Sequence, residues 1–336
     1  MPEKKEGSLQ VRFFERIKEI LPVSLSLVNE VAEVLNMSTD SAYRRLRGET
    51  PLSIDEISML CNHFKIGFDV FSDQAGSVFF NFDQMHGIKD FRDYLLSIRD
   101  TLITLGKPEN AELFYAAIDI PIFHHFNYHE LSAFKMFYWL KDVLNEPSLD
   151  GHKFDVSLVS SELKELGKEI YNSYCRLPST EVWTDATING SIAQIEFYWD
   201  SGLIESRDLA ILICSQLEEE IKTIQRQAEL SGKILTENVA MSENFKLYVS
   251  DIEIGNNCIL TRKGDVKMVY LSFHTFNKLA TVNTKFCDDT FKWLNNLIRK
   301  STLISGVSEK QRYIFFKQVF DKINRLKLKL ESSANS

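Results

Sequence analysis

Between Val28 and Phe71 the apolar residues recur at three- and four-residue steps, the spacing of short helices that each bury one face. Val28, Val31, Ala32 and Leu35 make one such face, Ala42 and Leu46 a second, and Ile57, Leu60, Cys61 and Phe64 a third. Upstream, Phe13, Phe14, Ile17, Ile20 and Leu21 supply a first helix, and Phe68, Val70 and Phe71 predict a short fifth one. The small polar run Ser72-Asp73-Gln74-Ala75-Gly76-Ser77 predicts a linker. Helical spacing returns from Ile88 with Phe91, Leu95, Ile98, Leu102 and Leu105, then in an aromatic helix holding Leu131, Phe134, Phe137, Tyr138 and Leu140. A long helix is expected over 207–231, capped by Ser206, with the stripe Ala210, Ile213, Leu217, Ile221, Ile224 and Ala228. That stripe suits either a dimer seam or packing inside a bundle.

The period changes over 246–272. Tyr248, Ile252, Ile254, Ile259, Leu260, Val266, Met268, Val269 and Tyr270 are broken by Gly255-Asn256-Asn257 and Lys263-Gly264-Asp265, which predicts a small antiparallel meander of three strands. Helices resume near Phe286 and again at Ser308, where Ser308 and Gln311 fit a capping box.

The stretch from Val28 to Phe71 also carries chemistry. Asn36 falls where two helices must meet at a sharp bend, and Asn tolerates the left-handed backbone better than any residue but Gly. Ser38 is placed to cap the following helix by accepting a backbone N–H. The outward face of that helix holds Thr39, Asp40, Tyr43, Arg44 and Arg47. A helix of this width fits the major groove, with its early residues at base edges. Arg44 suits a guanine edge, Thr39 or Asp40 a base near the helix start, and Asp40 specifically a cytosine amino group. Arg45 and Arg47 suit backbone phosphates. Gly48 ends the helix, Pro51 stiffens the turn, and Ser53-Ile54-Asp55-Glu56 is a capping box opening the fourth helix.

The run VAEVLNMSTDSAYRRLRGETPLSIDEISMLCNHFKIGFDVF resembles the lambda-repressor-like helix-turn-helix family, also called the Cro/C1 or XRE type. The resemblance covers residues 9–71, with Asn36 and Cys61 as mild departures from the usual residues. It implies sequence-specific binding of double-stranded DNA, as a dimer on a roughly palindromic site. The DNA-binding set is then Ser38, Thr39, Asp40, Tyr43, Arg44, Arg45 and Arg47. The expected fold is mainly α: an N-terminal five-helix lambda-repressor-like domain followed by a larger helical region with a small antiparallel sheet (α+β). The expected divisions are a helix-turn-helix domain at 1–73, a linker at 74–87, a helical assembly or sensor region at 88–240, and the small sheet with C-terminal helices at 241–336.

Composition adjusts this reading. A net charge of -8 argues against a broad, sequence-independent nucleic-acid coat and leaves room for a local basic face. Residues 1–71 are themselves slightly acidic, which keeps a protein-interaction adaptor in view as the alternative. Cys61, Cys175, Cys214, Cys258 and Cys287 are scattered with no C-x-x-C pair, which suits a reducing compartment. The first ten residues have no apolar signal core and no apolar run is long enough to span a membrane, so a cytoplasmic protein without membrane contact is expected. His124, His125 and His129 lie in FHHFNYHE, where His125 and His129 on one helix face would suit a metal and the surrounding aromatics suit a packed core. The basic C-terminal part, from Lys292, Arg299 and Lys300 through Lys310 and Arg312 to Lys329, suits a solvated helix face or an acidic partner, with a second nucleic-acid contact as the alternative. Aromatics such as Tyr115, Trp139, Trp183 and Tyr198 suit core packing or a pocket for a small-molecule or peptide effector. Phosphate-cradling glycine loops, G-x-S-x-G and H-E-x-x-H are missing, so no catalytic residue, metal or cofactor is expected, and a metal-dependent enzyme in the C-terminal region is the remotest reading.

Overall fold

Among the described residues four helices build the first unit: α1 (Leu9–Ile20), α2 (Leu27–Val34), α3 (Thr39–Leu46) and α4 (Ile54–Phe64). They belong to a computed structural model in which residues 8–21, 25–64, 66, 78–82, 85–106, 111–236, 239–241 and 243–332 are described. The chain divides into two units, residues 1–82 with 280–286, and residues 83–279 with 287–336. In the first, Phe13, Phe14 and Ile17 of α1 meet Val31 and Ala32 of α2, Ala42 of α3 and Leu60 of α4 in one buried cluster. These are the inward positions of each apolar period, so the helices form because burial of those faces adds to modest intrinsic propensity.

The second unit is built on a sheet. From α5 (Gly87–Gly106) the chain enters β1 (Ala111–Ala116), crosses through α6 (Ile122–His125), α7 (His129–Tyr138) and α8 (Ser161–Arg176), and returns as β2 (Ser179–Trp183). A second crossing through α9 (Asn189–Asp200) and α10 (Arg207–Leu230), past the hairpin β3 (Ile234–Thr236) and β4 (Val239–Ala240), delivers β5 (Phe245–Val249). Then come β6 (Cys258–Lys263), β7 (Val266–Phe273), β8 (Phe276–Thr281), α11 (Thr284–Lys300), β9 (Thr302–Leu303) and α12 (Glu309–Ser332). Seven strands pair in the order β8-β7-β6-β1-β2-β5-β9. β1, β2 and β5 run parallel, as helical crossovers require, with Leu113 opposite Ser179 and Thr180 opposite Lys246. β6 runs antiparallel to β1 on the other side, Leu113 opposite Thr261. Leu113 and Tyr115 point into the main core. Phe114, one residue out of phase, meets the ring of Phe291 on α11 edge-on at 5.4 Å.

This architecture corrects the expected fold class. The protein is not mainly α with an N-terminal five-helix domain and a small antiparallel sheet; it carries a seven-stranded mixed sheet inside a sizeable α/β region. The fifth helix expected at Phe68, Val70 and Phe71 lies outside the described residues, as do residues 74–77, 83 and 84 of the linker expected at 74–87. β1 and β2 escaped the pattern reading because short parallel strands covered on both faces show no apolar–polar alternation. The expected three-strand meander is displaced as well. Tyr248 sits in β5 beside β2, Ile252 and Ile254 lie in the following connection, and the antiparallel run is β6-β7-β8. Gly264 (φ +59°) turns β6 into β7.

The long helix lies where its periodicity and cap place it: Ser206 Oγ accepts from the Leu209 N–H at 3.2 Å. Its stripe is internal. Ala210, Ile213, Leu217, Ile221, Ile224 and Ala228 are buried in the second unit, where α10 packs on α7 and α12, so this stripe is core and not a dimer seam.

Candidate nucleic-acid interface

The bend between α2 and α3 is built from local hydrogen bonds. Asn36 has φ +48°, and its N–H donates to Glu33 O at 3.1 Å while the Met37 N–H reaches back to Ala32 O at 2.9 Å. These two bonds close the helix in the manner of a Schellman cap, with Asn where Gly is usual. Ser38 Oγ then accepts from the Ser41 N–H at 3.3 Å and starts α3. α3 ends the same way: Gly48 has φ +74°, its N–H donates to Arg45 O at 2.9 Å, and the Glu49 N–H donates to Arg44 O at 2.9 Å. Both ends of α3 are thus fixed by the Ser38 cap and by backbone bonds, leaving its outward side chains from Thr39 onward unused.

Those side chains separate into two groups. Ser38, Thr39, Asp40, Tyr43, Arg44 and Arg47 are exposed on one surface, and Arg47 lies over the Tyr43 ring at 5.8 Å. Arg44 pairs with Asp40 one turn earlier at 3.4 Å, and Arg47 with Glu49 at 3.2 Å. The two arginine side chains stay 62% and 63% exposed, so these pairs are weak and exchangeable. Arg45 belongs to the interior. Only 19% exposed, it holds Glu56 at 2.7 Å. Partial burial pushes the Glu56 carboxyl up, but the Ser53 N–H and the Arg45 guanidinium outweigh it and hold it below the usual range. Glu56 also completes the capping box: it accepts from the Ser53 N–H at 2.8 Å while Ser53 Oγ accepts from the Glu56 N–H at 3.2 Å. Arg45 therefore ties α3 to the start of α4.

One positioning residue was missed by pattern reading. Gln10 on α1 donates from Nε2 to Arg45 O and Thr50 O, each at 2.7 Å, and accepts from the Leu52 N–H at 2.9 Å. A single amide satisfies three backbone groups around the exit of α3. The only signal in the sequence was a polar residue just ahead of the buried Phe13 and Phe14.

In the second unit His124 and His125 are buried. His124 Nε2 lies 3.0 Å from Glu181 Oε1 on β2; Tyr174 and the Trp183 indole, the latter at 2.8 Å, also donate to that carboxylate. Burial raises the Glu181 carboxyl, and His124 and Tyr174 bring it back below its ordinary value, so a buried charge is held by three partners. Lys233 donates to Tyr174 O at 2.9 Å and to Leu177 O, closing the C-terminal end of α8; burial lowers its ammonium to about 7. His125 and His129 do not share a helix face: His125 ends α6 in the core, and exposed His129 starts α7 beside Glu130. Among the described residues no group of three or more His, Cys, Asp or Glu is placed to hold a metal ion. No described helix is long and apolar enough to cross a membrane. Comparison with known proteins found no match: no family model fits the chain, and neither a curated protein nor a solved structure resembles it.

Proposed function

We propose that the chain is a cytoplasmic, sequence-specific DNA-binding transcriptional regulator that works as a homodimer, with α3 as the helix that enters the major groove. The supporting observation is the α2–bend–α3 pair, whose backbone is closed internally at both ends and which presents Thr39, Asp40, Tyr43, Arg44 and Arg47 on one solvent-facing surface. Arg44 takes a base edge and Arg47 a phosphate. Arg45 supports the helix from behind. Paired heads read half-sites about 34 Å apart, one turn of duplex.

Capture of genomic fragments at near-physiological salt tests this, with the natural protein beside an Arg44→Ala/Arg47→Ala variant. The expected result is enrichment of a short palindromic site by the natural protein alone, with affinity lost by at least about tenfold in the variant. The second reading, a protein-interaction adaptor, is favoured by the acids already beside both arginines, Asp40 and Glu49. Equal retention of DNA by both proteins, or none by either, would move the interpretation to that adaptor.

A further inference from the structure

At the carboxyl end of β1 the second unit holds a small cavity of about 40 Å³. That is room for about three water molecules. Its wall includes Asp119, His125, Lys135, Gln194, Asn257 and Thr275. All six carry polar side chains.

Lys135 lies on α7 and is buried, with Nζ donating to Gln194 Oε1 at 2.6 Å and Ser191 Oγ at 3.2 Å. An ammonium carries three donors, so one remains for an occupant. Asn257 is only 7% exposed, and its Oδ1 accepts from the Ile118 N–H at 2.9 Å. Its amide Nδ2 has no protein acceptor among the described residues, and the side chain lines the cavity. Two unspent donors thus share one small chamber. The Asp119 carboxylate supplies the opposite sign. It makes no hydrogen bond among the described residues, and it sits so close over Gly190 that a Cβ there would fall 2.1 Å from Oδ1. Gly190 is therefore the residue that lets this carboxylate stand in the wall.

The other charges cancel by staying unmade. Burial lowers the His125 imidazole well below its ordinary value, and burial raises Glu220, its hydrogen-bond partner at 3.0 Å, to about 8. That leaves one cation and one carboxylate in the cavity lining. At its lip, the turn from β7 to β8 places His274 and Thr275 at φ +48° and +79°. A β-branched residue in this region is strained, and such strain collects at ligand sites.

We propose that this cavity binds a small α-amino acid, its carboxylate received by Lys135 and Asn257 and its ammonium by Asp119. Glycine and alanine are the sizes that fit. The binding stands independently of the DNA-binding reading and is tested without DNA.

The test is calorimetric titration and thermal unfolding of the full chain with glycine and L-alanine, beside acetate, methylamine and glycerol. The expected result is binding of glycine or alanine with Kd at or below about 1 mM and a matching rise in Tm, with the three partial ligands ineffective. Asp119→Asn, which breaks no protein hydrogen bond, weakens binding by at least about tenfold. Gly190→Ala displaces the same carboxylate and weakens it too. Amino acids that leave a folded protein unmoved, acetate or glycerol binding as well as glycine, or an unchanged Kd in folded Asp119→Asn, would each overturn the proposal.

Discussion

The guanidinium of Arg45 and that of its neighbour Arg44 are separated by one step of helix, about 100°, and this step decides what each does. Truncating Arg45 removes the charge partner of Glu56 and leaves its part-buried carboxylate with only the Ser53 capping bond. Arg45→Ala is expected to lower the stability of the first unit by about 1–2 kcal/mol, and Arg44→Ala by less than about 0.5 kcal/mol, in paired thermal melts. Equal effects would show that Arg45 is a surface residue after all. Glu220 permits a second residue-scale test. Folded, it keeps its proton up to about pH 8; unfolded, it loses it near the ordinary 4.5. The folded chain therefore binds the extra proton between those limits, and stability falls as pH rises through them. His125 runs the other way, costing stability as pH falls below 6.5, because only the unfolded chain takes up that proton. Glu220→Gln keeps a hydrogen bond to His125 Nδ1 and removes the acid. It should gain on the natural protein by about 1.4 kcal/mol per pH unit between about pH 5 and 7.5 in urea unfolding. A gap that does not change with pH would contradict the neutral pairing. At this scale the sequence was informative wherever the cause is local. Asn36, Ser38, Gly48 and Ser53 announce themselves because caps and bends are made within four or five residues. Gln10 and the Arg45–Glu56 pair stayed hidden because their partners come from other helices.

Elements tell the same story through burial. α10 was legible from end to end because one face repeats at helical spacing and Ser206 marks its start. What lies against that face was not legible, since an apolar stripe fits a neighbouring helix and a second copy equally well. Leu217 is fully buried within its own unit. Leu217→Ala should cost about 2–5 kcal/mol in denaturant unfolding while leaving the oligomeric state in sedimentation unchanged. A change of assembly without loss of stability would restore the seam. β1 and β2 illustrate the opposite case. Ala111–Ala116 includes Glu112 and Ser179–Trp183 includes Glu181, so neither is a clean apolar run or a clean alternation. Glu112 reaches Arg262 at 2.6 Å and Glu181 sits in a buried network, arrangements that only the assembled sheet reveals. β5 was recognised as a strand but given the wrong neighbour, because nearness in sequence suggested β6 whereas pairing runs to β2.

Across the whole molecule the thiols make a compact check of packing. Of the five cysteines, Cys175, Cys214, Cys258 and Cys287 are buried and only Cys61 is half-buried. Burial pushes the Cys214 thiol up to about 11 and the Cys258 thiol up to about 12. A thiol reagent should therefore modify the native chain quickly at one position, Cys61, and all five only after denaturation. Fast reaction at Cys258 or Cys287 would mean that the sheet and α11 open readily. The central place of β1 carries a further consequence, for the making of the protein. Its partner on one side, β2, lies some way downstream, and its partner on the other, β6, pairs Ala111 with Lys263. As the chain leaves the ribosome, β1 waits with a bare edge until Cys258–Lys263 has been synthesised. A message truncated before Cys258 would release a product whose innermost strand has become its outermost, an open template for aggregation and a natural client for chaperones.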